Sequence, residues 1–196
     1  MTLEGKKIGF GITSSFCTFT EIIEPLKKLK ALGADIYPII SANVAQFKSS
    51  RLHDRDTFLA EVREICGRKE AENIIEAEIF GPGNPLDIMV IAPATGNTIA
   101  KLANGISDGA VPMAAKATLR NGSPIVLALF TNDALGANGV NIMKLYNTKN
   151  IFFVPFGQDD PIKKPTSMLA DLDFLEETIN CALDGKQIQP ALIGYK

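Results

Sequence analysis

Apolar residues fall along this chain in two alternating rhythms. Short, mainly apolar runs at 7–12, 34–40, 87–92, 124–130 and 151–154 read as strands, those at 7–12 and 87–92 as buried ones. Between the first two, Phe16, Phe19, Ile22, Ile23, Leu26 and Leu29 recur at helical spacing, and Gly33 suits the stop. Pro25 stands inside that pattern, so the helix is either kinked there or begins later than Phe16. The more polar stretch at 42–79 predicts helices around 58–66 and 70–77, and further helices are expected over 95–103, 112–119 and 140–145. The GPGNP run at 81–85 is loop by its turn chemistry. Ser167 is placed to cap a last helix over about 167–184, carrying Leu169, Leu172, Leu175, Ile179 and Leu183 and stopped by Gly185. An apolar tail at 186–196 follows, free to dock on another chain or to fold back on its own domain.

Short strands alternating with helices imply βαβ units, a mostly parallel sheet and right-handed crossovers. With no internal repeat, low-complexity segment or linker, residues 1–196 are expected to form one doubly wound, Rossmann-like α/β three-layer sandwich. Ligands in such a sheet sit outside the carboxyl ends of the strands. That rule selects the loops at 13–16, 41–44, 93–97 and 131–139 for chemistry.

Composition narrows the classes open to this domain. Lys and Arg total 20 against 22 Asp and Glu in 196 residues, a net charge of -2 with no basic tract, which argues against nucleic acid or anionic membrane as partner. The three cysteines, Cys17, Cys66 and Cys181, are far apart and in no metal-binding spacing, so neither a disulfide framework nor a metal site is expected. The N-terminal segment lacks the apolar core of a signal peptide, and the longest apolar runs fall far short of the roughly 20 residues that cross a bilayer. A cytoplasmic protein is the expectation.

The loop at 9–15, GFGITSS, follows a strand and opens a helix, but Ser14 stands where a dinucleotide fingerprint has its third glycine. Such a loop offers backbone N–H groups and hydroxyls to a phosphate, or simply caps the helix. Ser41 leaves the second strand at the same sheet edge. At the third exit, Pro93 fixes the backbone, Thr95 and Asn97 supply donors and acceptors, and Gly96 allows close approach of a planar ligand.

The run APATGNTIAKLANGISD at 92–108 resembles the P-A-[ST]-A-N-T-I-A-K-x-A-x-G-I-[AS]-D signature of the homo-oligomeric FMN-binding flavoproteins, which include cysteine decarboxylases and flavin prenyltransferases. GITSS is similar to that family's G-I-T-G-S opening, with Ser14 in place of glycine. The resemblance implies that Thr13, Ser14, Ser15 and Ser41 hold the phosphate of FMN, and that Ala94, Thr95, Gly96, Asn97 and Thr98 line the flavin ring or ribityl chain. It also implies a homo-oligomer. Two departures stand out: residues 76–80 carry no histidine where the decarboxylases have one, and Phe130-Thr131-Asn132-Asp133 replaces their P-A-M-N clamp. The single histidine, His53, lies well upstream in a charged segment. Cysteine decarboxylation is therefore not expected.

The segments at 132–171 and 182–192 are similar to the B subunits of two-subunit synthases that make a pyridine dicarboxylate in spore-forming bacteria. That likeness implies oxidation of a dihydropyridine dicarboxylate, carried out jointly with an A subunit that binds a pyridine nucleotide. The hydride acceptor is then FMN on this chain or NADP on the partner, since no side chain does that work. Lys163 and Lys164, or Lys116 and Arg120, are candidates to hold the substrate carboxylates. Asp133 is the first candidate to take a proton, ahead of Asp159 and Asp160. Cys17 lies near the phosphate loop and is read as a packing residue.

Overall fold

The computed structural model describes residues 3–15, 18–46 and 54–194, so Phe16, Cys17 and His53 lie outside the described residues. Five parallel strands make the body of the sheet: β1 (Lys7–Ile12), β2 (Asp35–Ile40), β3 (Ile88–Ala94), β4 (Ile125–Thr131) and β5 (Ile151–Phe153). A hairpin, β6 (Phe156–Asp160) and β7 (Lys164–Ala170), joins it antiparallel. The strand order is β2-β1-β3-β4-β7-β6, with β5 also on β4.

Helices α1 (Phe19–Ala31), α3 (Arg55–Cys66), α5 (Gly96–Ala103), α6 (Ala110–Arg120), α7 (Gly139–Tyr146) and α8 (Leu175–Leu183) flank the sheet, with the short α2 (Ala42–Gln46) and α4 (Ile74–Ala77) between them. Every residue of β3 and β4 is buried. Helices on both faces leave no solvated side, hence continuous apolar runs in place of alternation.

Helix α1 begins at Phe19, later than the apolar spacing predicts, and runs through Pro25 to end before Gly33, whose φ of 88° favours glycine. Pro25 has no N–H for the carbonyl of Glu21, but Glu21 is exposed, so water can serve that carbonyl. The expected helix at 70–77 shrinks to α4 because the chain before it runs along the outer edge of β2. There Ala71 N–H donates to Pro38 O at 2.9 Å, and Ile40 N–H donates to Ala71 O at 2.9 Å. Next to Ala71, the buried carboxylate of Glu70 takes two hydrogen bonds from Arg63, at 2.8 and 2.6 Å. Burial pushes Glu70 up, but the guanidinium outweighs it and holds the carboxyl below its usual range.

The C-terminal part corrects the sequence expectation. Residues Lys164–Ala170 are strand, not the start of a helix over 167–184, and α8 begins only at Leu175. Ser167 caps nothing. β5 covers the first half of one edge of β4, at Ile125, Val126 and Leu127, and leaves Phe130 and Thr131 open. β7 fills that gap, pairing Leu169 with Phe130 and Met168 with Thr131, and such a pairing outweighs a weak helical spacing. The tail folds back on its own domain. Gln187 bonds both backbone groups of Phe153, at 2.8 and 2.7 Å, while Phe156 bonds Ala191 and Ile193.

Candidate functional site

The carboxyl ends of β1, β3 and β4 converge with the hairpin on one side of the sheet. The turn after β3 is bound to the turn after β1. The Thr13 hydroxyl donates to Pro93 O at 2.7 Å, the Thr95 N–H donates to Thr13 Oγ1 at 3.2 Å, and the Thr95 and Thr98 hydroxyls lie 3.2 Å apart. Thr13 and Thr98 are buried, so their hydroxyls hold the two turns in register. A register shift between Ile91 and Ala94 lets the strand break its pairing just before Thr95.

Beyond Thr13, Ser14 and Ser15 are half-buried, and Thr18 Oγ1 donates to Ser15 O at 2.8 Å, closing the turn that opens α1. Asn43 Nδ2 donates to Ser14 Oγ at 3.3 Å, which ties this loop to the exit of β2. Ser41 N–H donates to Ile12 O, and its buried hydroxyl has no partner among the described residues. An unpaired buried hydroxyl costs about 1–3 kcal/mol, so this one asks for a ligand.

The exit of β4 is a closed network. Both oxygens of Asp133 are taken, Oδ1 by the Thr131 hydroxyl and Oδ2 by Asn138 Nδ2 at 2.7 Å. Asn138 Oδ1 accepts in turn from Asn141 at 3.0 Å. Gly96, first residue of α5, lies against this network. A Cβ there would sit 2.6 Å from Thr131 Oγ1, 2.7 Å from Asn138 Nδ2 and 2.8 Å from Asp133 Oδ1. No side chain fits. Lys101, further along α5, donates to both oxygens of Asp108 at 2.8 and 3.0 Å and holds that carboxyl below its usual range.

The hairpin supplies the opposite wall. Asp159 Oδ2 accepts from Lys164 Nζ at 2.7 Å and from Ser167 Oγ at 3.3 Å. Asp160 faces the hairpin turn, where its Oδ1 accepts the N–H groups of Ile162 and Lys163. Asp159 and Asp160 thus lie in a strand where the sequence suggests loop.

These walls enclose a cleft of about 840 Å³, within the usual range for cofactor sites. Of the residues expected to bind ligand, Ser14, Ser15, Thr95, Gly96, Asn97, Asp133 and Lys164 line it. Thr13, Ala94 and Thr98 are buried behind the lining, and Ser41 stands one strand over. Lys163 is outside the lining, and Lys116 and Arg120 border a separate pocket on α6 with Met113 and Glu78. Asn138 and Ser167 line the cleft unannounced by sequence, because their places depend on pairings across the fold. Among the described residues, no group of His, Cys, Asp or Glu is arranged to hold a metal ion.

A cleft at the strand ends of a doubly wound sheet, with a hydroxyl-rich turn opening one helix and a glycine opening another, is the arrangement in which such folds bind nucleotide-type cofactors. Residues 1–178 match the family described as Flavoprotein, and the chain belongs to it. It is 48% identical over 192 residues to the B subunit of dipicolinate synthase of Bacillus subtilis (strain 168), covering 98% of this chain and 96% of that one. The crystal structure of the B subunit of dipicolinate synthase from Bacillus halodurans superposes with a TM-score of 0.91 at 47% identity, covering 98% of both chains. The FMN-dependent cysteine decarboxylase SpaF shares the fold, with a TM-score of 0.67 at 21% identity over 93% of this chain and 98% of that one.

Proposed function

We propose that this chain acts as the B subunit of dipicolinate synthase, oxidising dihydrodipicolinate to dipicolinate together with an A subunit in the cytosol of a spore-forming bacterium. The end-to-end similarity to the Bacillus subtilis protein carries this reading, because it includes the hairpin that walls the cleft. The cleft suits FMN. Ser14, Ser15 and Ser41 would hold the phosphate, with the unpaired Ser41 hydroxyl gaining its missing partner. Thr95, Gly96 and Asn97 would face the ring or ribityl chain, while Thr13, Ala94 and Thr98 shape the turns behind them.

When bound, the flavin supplies a hydride acceptor; NADP on the A subunit is the alternative source. This chain's own residues orient the substrate. Lys164, whose side chain is 60% exposed, would meet a substrate carboxylate. The chain functions as a homo-oligomer, as the family resemblance implies.

Assaying dihydrodipicolinate oxidation with each of the two proteins alone and with both together tests this reading. Dipicolinate should form only with both present, and the purified chain should carry, or take up, yellow flavin. Turnover by this chain alone would remove the need for a partner. No turnover by the complex would refute the function outright.

A further inference from the structure

Three carboxylates line the cleft, Glu21 of α1, Asp133 and Asp159, and the structure treats the last two, which lie beyond the strand ends and on the hairpin, differently. Asp133 has both oxygens occupied by Thr131 and Asn138, and it is packed against the start of α5, where even a methyl group finds no room. Each Asp133 oxygen is thus held by a neighbour, and neither is left wholly unbonded. Asp159 receives both of its bonds, from Lys164 and Ser167, on the single oxygen Oδ2. Its Oδ1 has no hydrogen-bond partner among the described residues, and the side chain keeps 21% of its exposure.

Ser167 is buried, so it anchors the carboxylate from behind, while Lys164 holds it from the open side. The result is a carboxylate fixed in position with one oxygen open to the cleft. That is what a general base requires.

We infer that Asp159, not Asp133, is the proton acceptor for the oxidation, with Lys164 and Ser167 as the groups that aim it. The inference rests on the dipicolinate synthase reading above. Aromatising the dihydropyridine breaks two ring C–H bonds. One leaves with its electron pair as hydride, to an acceptor of the flavin or nicotinamide class. The electron pair of the neighbouring C–H bond becomes the new ring double bond, and its proton passes to Asp159 Oδ1. From there it leaves to solvent through the exposed side of the cleft. A substrate carboxylate held by Lys164 brings the ring to the same carboxylate that Lys164 orients.

The test uses the complete two-subunit enzyme carrying Asp159→Asn, which retains an acceptor for Lys164 and Ser167 and so preserves the hairpin. The expected result is a fall in kcat of about 100-fold or more, the range of general-base catalysis, with loss of the acid limb of the kcat/KM pH profile. Dipicolinate affinity, measured by titration calorimetry, should change by less than about threefold, because the variant keeps the ammonium that binds the product. Lys164→Met removes both the ammonium that binds the product and one of the groups that aim Asp159, so it should raise KM and the dipicolinate Kd by about tenfold or more and lower kcat as well.

Near-normal kcat in Asp159→Asn with the acid limb intact would overturn the inference while leaving the function standing. So would disappearance of that limb in Asp133→Asn instead. A wild-type complex that makes no dipicolinate would overturn the functional reading itself, and this assignment with it.

Discussion

The two walls of the cleft are built on opposite principles. The inner part of the wall formed by the exits of β1, β3 and β4 is closed on itself: Thr13, Thr98, Asn138 and the half-buried Asp133 commit their polar groups to one another, to Thr95 and Thr131, or to the backbone. The hairpin wall is open, with a half-exposed lysine, a carboxylate oxygen left over, and only Ser167 fully buried behind them. A saturated network holds shape and has nothing left to give a substrate, whereas the open wall keeps hydrogen-bonding capacity in the cleft. In the function proposed above, this division would give cofactor positioning to the parallel strands and substrate chemistry to the hairpin.

Gly96→Ala should break the closed wall most severely. The added methyl would meet three polar atoms at 2.6 to 2.8 Å, and relief requires breaking the bonds that satisfy Asp133. A loss of about 2–4 kcal/mol is expected from overpacking plus an unsatisfied buried group, together with loss of flavin uptake. Thermal melting and flavin fluorescence titration read the two effects separately. A variant that melts normally but no longer takes up flavin would show that Gly96 serves the ligand alone.

The parallel half has a second closed device at its outer edge, and it gives a pH signature. Arg63→Ala would leave the Glu70 carboxylate buried without its guanidinium, costing about 2–3 kcal/mol at neutral pH. In the wild type, Glu70 is held below its ordinary value of 4.5, so the pair's stabilisation is present above that value and fades as pH falls through the lower folded-state pKa. In the variant that dependence should reverse, because burial alone raises the pKa and acid then relieves an unpaired charge. Urea melts between neutral and mildly acidic pH check the sign. Parallel curves for the two proteins would mean the pair contributes nothing.

The contrast also explains what can be read from the sequence. β1, β3 and β4 are buried along nearly their whole length, so each announces itself as an apolar run, and the turn after β3 follows from Pro93, Gly96 and Asn97 in order. The hairpin carries no such run. Its residues are half-exposed, and the three-residue spacing of Leu169, Leu172 and Leu175 imitates a helix, although those residues lie in a strand, a 3-10 turn and a helix respectively. Pairing with β6 and with the unfilled edge of β4 at Phe130 and Thr131 makes 164–170 a strand, and that vacancy exists only after the sheet has formed. For the same reason Asp133 ranks first from sequence, since its loop directly follows the run at 124–130, and that loop does not reveal that Thr131 and Asn138 each bond one of its oxygens.

Ser167→Ala probes the one closed point of the open wall. The hydroxyl is buried and donates to Asp159 at 3.3 Å, a long bond whose net worth is at the low end of the usual range. Stability should fall by only about 0.5–1 kcal/mol. The functional effect should be larger than that: with the rear anchor gone, Asp159 follows Lys164 alone, and kcat should fall several-fold while dipicolinate affinity holds. Restoring a hydroxyl with Ser167→Thr should recover part of kcat if aim is what Ser167 provides. Recovery of stability without recovery of kcat would reduce Ser167 to a packing residue of β7, and the two walls would then differ only in exposure.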